Sequence, residues 1–523
     1  MSANPPPRSR LIATAALVLG LAGSACTLLF DHDAHQCTVD ADCAKFPGHP
    51  LCQGNLCVSS GLGPPDCFFG NPMTPDQFAN QCSPAQCKAF DNCARLNLCN
   101  GASDADAGLT APPKPDAGTT ATDGGTASAD AGTPSLPSCL DPTNGRTQAV
   151  YVTGSSNFPP LFSKLAPLII ANGFTPVYQV TSSCNGVKTM FGTGARDHLM
   201  LDPAPGSTTQ PAAYYNMDGT SVPCSLGAGG VQVDIGESDI FSSSCSGFGT
   251  PSNQVGEFLG PIQAMMFVVP GNSQQTTISE EAARDVFGRG GDNGVAVPWT
   301  NPSLYFIRNS NTGTQQMIGR AIGVPADQFW GVDRSSAKNV DALLAVVTEA
   351  APADQAIGII SSDFADGDRG NIRTLAFKAT GQECAYLPDS RDGHFDKRNV
   401  RDGHYPIWGP LHFFANVSSG VPITTAAQNF VQVVSVPNLQ QSLLDAFIAS
   451  RLVPSCAMRV NRTSELGALS SFAPTFMCGC YFESMSDLKG ATPDGCTRCV
   501  TSEDCANNDP AHPTCNLGFC ELQ

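Results

Sequence analysis

Positive charge is scarce in this 523-residue chain. Only 28 Lys and Arg stand against 46 Asp and Glu, giving a net charge of -18 at neutral pH and a pI near 4.7. Nucleic-acid binding depends on Lys and Arg neutralising phosphates, so this balance argues against a nucleic-acid partner, though not against one buried anion. Long apolar runs are missing too. The stretch Leu11 to Ala22 is too short to span a bilayer, and nothing else approaches that length. Catalytic signatures are absent: GRGGDNG (288–294) lacks the Lys-Ser/Thr of a phosphate loop, and neither H-E-x-x-H nor G-x-S-x-G occurs. The eight His are scattered, two of them in a repeated RDGH (391–394 and 401–404) that reads as a charged surface loop rather than a metal site. No enzymatic activity, metal or cofactor is expected.

Cysteine, by contrast, is abundant. Most of the 23 lie in close-spaced clusters, which points to an oxidising compartment and a disulfide framework. The N-terminus agrees with export: Arg8 and Arg10, an apolar stretch, then Gly23-Ser24-Ala25 before Cys26 make residues 1–25 a signal peptide. LAGSAC resembles the lipobox of bacterial lipoproteins, which makes Cys26 the expected lipidation site and a lipid anchor the only membrane attachment. A plain signal-peptidase cut after Ala25 also fits. The expected location is the bacterial cell envelope, periplasm or outer surface.

Residues 101–137 are almost entirely Ala, Gly, Asp, Thr, Ser and Pro, too poor in apolar side chains to fold, and read as a disordered linker. They separate a cysteine-rich module at 26–100 from a domain at 138–465, and a second cysteine-rich module follows at 466–523. The two modules are related. Cys37, Cys43, Cys52 and Cys57 have the spacing C-x5-C-x8-C-x4-C, and Cys499, Cys505, Cys515 and Cys520 have C-x5-C-x9-C-x4-C, each with His-Pro before the third Cys. Disulfide knots are expected here. A zinc reading of CGC and CTRC is disfavoured because oxidised thiols cannot ligate metal as thiolates. The remaining cysteines of the head and tail are read as extending these modules.

Between the modules, strand-like runs alternate with amphipathic helical ones. QAVYVTG (148–154) reads as a buried strand and PPLFSKLAPLIIANG (159–173) as a helix opened by proline and stopped by glycine. The pattern implies an α/β fold with mostly parallel strands in two lobes, whose ligand sites lie at strand ends and helix starts. Four small polar loops occupy those junctions: TGSSNFPP (153–160), TSSCNGVK (181–188), DIGESDIF (234–241) and RNSNTGT (308–314).

This set, together with WTNPSLYFIR, AIGIISSD (356–363) and HYPIWGPLHFF (404–414), resembles the phosphate-binding proteins of ATP-driven uptake systems, in the type 2 periplasmic binding-protein superfamily. The resemblance implies a two-lobed type 2 binding-protein fold flanked by small disulfide-rich modules. It also implies a phosphate site built from Asn157, Phe158, Ser182, Asp239, Arg308, Thr312, Gly313 and Thr314. The chemistry of these residues fits. Asn157, Ser182, Thr312 and Thr314 can donate to an oxyanion, and Arg308 supplies a planar counter-charge. An ionised Asp239 only accepts hydrogen bonds, and so favours an anion that still carries a proton, such as monohydrogen phosphate, over sulfate. Ser182 equally suits a helix N-cap and Asp239 a turn. The chain departs from the family pattern at Asn157, at Thr312, by an extra residue around Cys184, and by an insertion at 193–230 that could cover or reshape the cleft. Cys224 in that insertion is an expected partner for Cys184 or Cys245.

The expected function is therefore a cell-envelope solute-binding lipoprotein that captures an oxyanion, inorganic phosphate first, for an ABC permease. The alternative is a surface interaction or adhesion protein that uses the same fold as a scaffold without transport.

Overall fold

The run QAVYVTG forms strand β1 (Ala149–Gly154), and Pro159-Pro160 open helix α1 (Pro159–Ala171), where proline's fixed φ suits the first turn. Next come β2 (Thr175–Val180), α2 (Ser183–Phe191), β3 (Ala213–Tyr215), β4 (Ser221–Pro223), β5 (Ile235–Ser238) and the long β6 (Val255–Pro270). They are followed by β7 (Tyr305–Ile307), α3 (Gly313–Ala321), β8 (Val332–Asp333), β9 (Ile357–Ser361), β10 (Ile372–Thr374), β11 (Trp408–Ser418) and β12 (Val421–Pro422). Helices α4 (Thr425–Val434) and α5 (Gln441–Ala449) close the domain.

This computed structural model describes residues 51–53, 56–58, 67–68, 71–96 and 136–521, apart from 206, 208, 292–293 and 435–439. Residues 1–25, read above as a signal peptide, Cys26, Cys37, Cys43 and nearly all of 101–137 lie outside the described residues. The chain divides into two compact units, Met1–Pro65 with Cys82–Pro84, and Asp66–Gln81 with Ala85–Gln523.

Twelve strands of the larger unit make one mixed sheet in the order β8-β7-β9-β6-β11-β5-β1-β2-β3-β4, with β10 beside β6 and β12 beside β11. β1 is parallel to β2 and to β5, and β7 is parallel to β9. The centre departs from the mostly parallel arrangement the alternation implies. β6 runs antiparallel to β11, with Phe258 opposite Phe413, and its far end runs antiparallel to β9, with Met265 opposite Ser361. Strands buried on both faces read as the same apolar run in either orientation, so the sequence pattern does not distinguish them. β6 and β11 thus cross between two halves. In one, Val152, Phe162, Tyr178, Phe413 and Phe430 form an apolar core against α1 and α4; in the other, Phe267, Phe287, Tyr305 and Phe377 belong to a second core.

The insertion at 193–230 contributes β3 and β4, which extend the outer edge of the first half beside β2. Its Cys224 pairs with Cys139, while Cys184 and Cys245 pair with each other, so the expected partnering of Cys224 is corrected. Cys87 bonds Cys384 and Cys478 bonds Cys456, so these two tie their segments to the central domain instead of extending the head and tail modules. Within the tail the bridges are Cys480–Cys496, Cys499–Cys515 and Cys505–Cys520, which commits the CGC and CTRC sulfurs to disulfides. The repeat is visible in backbone register. Cys515 lies opposite Cys520 in a short tail hairpin, just as Cys52 lies opposite Cys57 in the head.

The two RDGH copies differ. Asp392 of the first is exposed, but Arg401 and His404 of the second are each only 1% exposed. A polar tetrapeptide is buried there because its charges are met: Arg401 donates to Ala457 O and Glu483, and His404 Nε2 lies 2.8 Å from Gln81 O.

Candidate functional site

The four polar loops converge from the carboxyl ends of β1, β2, β5 and β7, where an α/β sheet places ligands. β1 delivers Ser155, Ser156 and Asn157. β2 leads through Ser182 into α2, β5 ends one residue before Asp239, and β7 ends one residue before Arg308, ahead of α3. Loops of the two halves meet directly. Arg308 Nη2 donates to Ser156 Oγ at 2.7 Å, Asn157 Nδ2 donates to Thr314 Oγ1 at 3.1 Å, and the Gly313 N–H donates to Ser183 Oγ at 3.0 Å.

Asp239 is fully buried, and one of its oxygens is saturated. Oδ2 accepts from Ser155 Oγ at 2.6 Å, Asn157 Nδ2 at 2.9 Å and Ser183 Oγ at 3.2 Å. Oδ1 has no partner among the described residues. Burial raises the Asp239 carboxyl above its ordinary value, while those three hydrogen bonds and the Arg308 charge pull the other way.

Arg308 is also fully buried, and no carboxylate pairs with it among the described residues. Its backbone N–H donates to Gln315 Oε1, and Nη2 reaches Ser156 and, at 3.4 Å, Ser335 O. Nε and Nη1 are unpartnered. Burial lowers the guanidinium to about 10, opposed by the charges of Asp239, Asp333 and Asp363, so it remains a cation at neutral pH. A buried cation with two idle donor nitrogens, within electrostatic reach of a buried carboxylate with one idle acceptor, is costly unless a further group completes them.

The other residues singled out in the sequence divide into two sets. Asn157, Gly313 and Thr314 join Asp239 and Arg308, and Asn157 Oδ1 is a further orphan acceptor. Ser182 and Thr312 are buried helix caps, their hydroxyls accepting from the N–H groups of Asn185 and Gln315, and Thr312 Oγ1 donates to Asn309 O. Phe158 turns its ring into the lobe core against Phe162, Tyr178 and Phe413, and its N–H points to Ser155 O at 3.4 Å. Reading the sequence loop by loop misses Ser155, Ser156 and Ser183, although both Ser-Ser pairs lie in the loops quoted above. In the second loop Ser183 rather than Ser182 faces Asp239, because the Ser182 hydroxyl is taken up in capping α2.

Two further carboxyls lie beneath the site. Glu237 Oε2 accepts from the Ser155 N–H and Tyr178 Oη, and burial with the nearby Asp239 charge holds its carboxyl well above the usual range. Asp363, after β9, accepts from Gln263 Nε2 at 3.1 Å, and burial raises it to about 7. A carboxyl raised on folding favours the fold below its unfolded pKa and loses that contribution as pH climbs through the folded one. Asp363→Asn is therefore expected to leave the melting temperature unchanged near pH 4 and raise it above pH 7, where every tenfold difference in proton affinity between the folded and unfolded carboxyl is worth ~1.4 kcal/mol. Thermal melts in phosphate-free buffer check this; equal effects at both pH values would contradict it.

One other grouping has metal-ligand types, His394, Asp396 and Asp487, but its atoms are engaged. His394 lies 2.7 Å from Asp487 and accepts from Arg391 Nε, and Asp396 accepts from two backbone N–H groups.

No protein-family model and no curated relative matches the chain. Among solved structures it is similar to a putative phosphate ABC transporter substrate-binding protein with bound phosphate from Clostridium perfringens, at 13% identity over 59% of this chain and 99% of that one, TM-score 0.39. An ABC-type phosphate transport receptor from Vibrio cholerae gives 12% identity over 59% and 100%, TM-score 0.38. A phosphate-binding protein from Stenotrophomonas maltophilia gives 14% over 66% and 100%, TM-score 0.36. A ligand for this chain has to be argued from its own site.

Proposed function

We propose that this protein is an exported solute-binding protein whose two lobes close on a single protonated oxyanion, inorganic phosphate, for delivery to an ABC permease, with Cys26 as a lipid anchor. The observation that carries the reading is the pairing of unmet groups at the lobe junction. Arg308 Nε and Nη1 offer two charged donors, and Asp239 Oδ1 offers one acceptor, all buried. A monohydrogen phosphate answers both, its unprotonated oxygens toward Arg308 and its P–OH toward Asp239. Sulfate has no proton to give. The hydroxyls of Ser156 and Thr314 are at hand for remaining oxygens.

Asp239→Asn tests the proton-acceptor role. The amide keeps the shape but presents a donor, so phosphate binding is expected to change little while discrimination against sulfate falls at least ten-fold, about 1.4 kcal/mol. Competition calorimetry on the full mature chain reads this directly. Undiminished discrimination would remove Asp239 from the role. Attachment is tested separately: Cys26→Ser is expected to abolish palmitate labelling and release the protein from membranes, and unchanged membrane association would contradict the anchor.

A further inference from the structure

We infer that the Cys184–Cys245 disulfide is a positioning element of the anion site, holding Ser183 against Asp239 and the loop after Asp239 against the opposite lobe. This deepens the oxyanion-binding reading and rests on it. Cys184 directly follows Ser183, whose hydroxyl serves three groups at once. It donates to Asp239 Oδ2 and accepts from the N–H groups of Asp239 at 3.4 Å and Gly313 at 3.0 Å. Cys245 closes the short turn that leaves Asp239, Ser242–Ser244. Both cysteines are buried, Cys184 at 7% and Cys245 at 2% exposure.

The bridge also lies between two hydrogen bonds that span the lobes. The Cys184 N–H donates to Asn311 O in the Arg308 loop at 3.2 Å, and Ser244 O, one residue before Cys245, accepts from Arg320 Nη2 on α3 at 3.2 Å. Hydrogen bonds at 3.2–3.4 Å are long and individually weak, and an unlinked α2 start and 241–245 loop would have to be ordered each time the cleft closes. The covalent tie removes that ordering cost in advance, which is how preorganisation raises affinity. Among the described residues, no other disulfide links one of the four loops to the turn that follows another. Cys139–Cys224 lies at the outer edge of the first lobe and spans a sequence separation of 85 against 61, so its chain-entropy contribution to stability is of similar size.

The test compares Cys184→Ser/Cys245→Ser with Cys139→Ser/Cys224→Ser in the full mature chain, using inorganic phosphate and sulfate as probes. Both variants are expected to melt lower than wild type. Only the first is expected to weaken phosphate binding, by about ten-fold or more, and to narrow the preference for phosphate over sulfate as Ser183 loosens from Asp239. If serine is not accommodated at these buried positions, Cys184→Ala/Cys245→Ala repeats the comparison. Wild-type affinity and preference in a folded 184/245 variant, or equal weakening in both variants, would overturn the inference. If wild type itself binds neither anion, the oxyanion reading fails on its own. Amide exchange in the unliganded chain then decides for the disulfide: faster exchange confined to 183–186 and 239–245 supports the positioning role, and unchanged exchange there overturns it.

Discussion

Replacing Arg308 with alanine is expected to weaken phosphate binding by at least about 100-fold. The side chain offers two unengaged N–H donors, Nε and Nη1, on a buried cation. Charged hydrogen bonds contribute ~1.5–3 kcal/mol each, so two correspond to roughly a hundred- to ten-thousand-fold in affinity at 1.4 kcal/mol per factor of ten. The ligand-free protein should behave differently. Without the anion, Arg308 is a buried charge with no ion pair among the described residues, and its removal relieves a desolvation penalty. Arg308→Ala should thus melt no lower than wild type in phosphate-free buffer while losing the upward shift that phosphate gives wild type. Arg308→Lys keeps the charge but not the planar fork, and should recover only part of the affinity. A variant that melts far lower without ligand, yet binds phosphate normally, would make Arg308 a core residue and not an anion partner.

The second large effect is expected from Gly313→Ala. A Cβ at this position would lie 2.6 Å from Asp239 Cβ, 2.7 Å from Ser183 Oγ and 2.8 Å from Asp239 Oδ2, all on the opposing lobe. The crowding arises only where the lobes meet, so the methyl acts on closure and not on either lobe alone. Overpacking typically costs ~1–3 kcal/mol, which corresponds to about ten- to a hundred-fold weaker binding with little change in ligand-free stability. Titration together with melts of the unliganded variant separates the two. A drop in ligand-free stability as large as the loss of affinity would mean that Gly313 serves folding and not closure.

What was legible in the sequence follows from where function sits on a sheet. The strand and helix runs around 148–191, and again around 305–321, are periodic, and the structure forms them within a few residues of their expected ends. The loops between them carry Asn157, Asp239, Arg308, Gly313 and Thr314 to one place. Three things were not legible, each for a physical reason. Strand direction along 260–270 of β6 and along β11 is hidden because burial on both faces erases the alternation that would reveal an antiparallel pair. The choice between Ser182 and Ser183 turns on one helical residue of register: the first caps α2 and the second points at Asp239. Cysteine partners depend on distances between loops far apart in the chain, as Cys139–Cys224 and Cys87–Cys384 illustrate. The buried RDGH at 401–404 teaches the same lesson, since its charges are answered by Glu483 and Ala457, more than fifty positions away.

The central claim is tested most directly by calorimetric titration of the full mature protein, stripped of bound ligand, with phosphate, arsenate and sulfate. Phosphate and arsenate, each able to carry a proton to Asp239 Oδ1, are expected to bind at one site and compete with each other, and sulfate to bind far more weakly or not at all. Binding of none of the three at millimolar concentration would contradict the oxyanion reading and leave the fold as a scaffold for other contacts, and binding of sulfate as tightly as phosphate would contradict the role of Asp239.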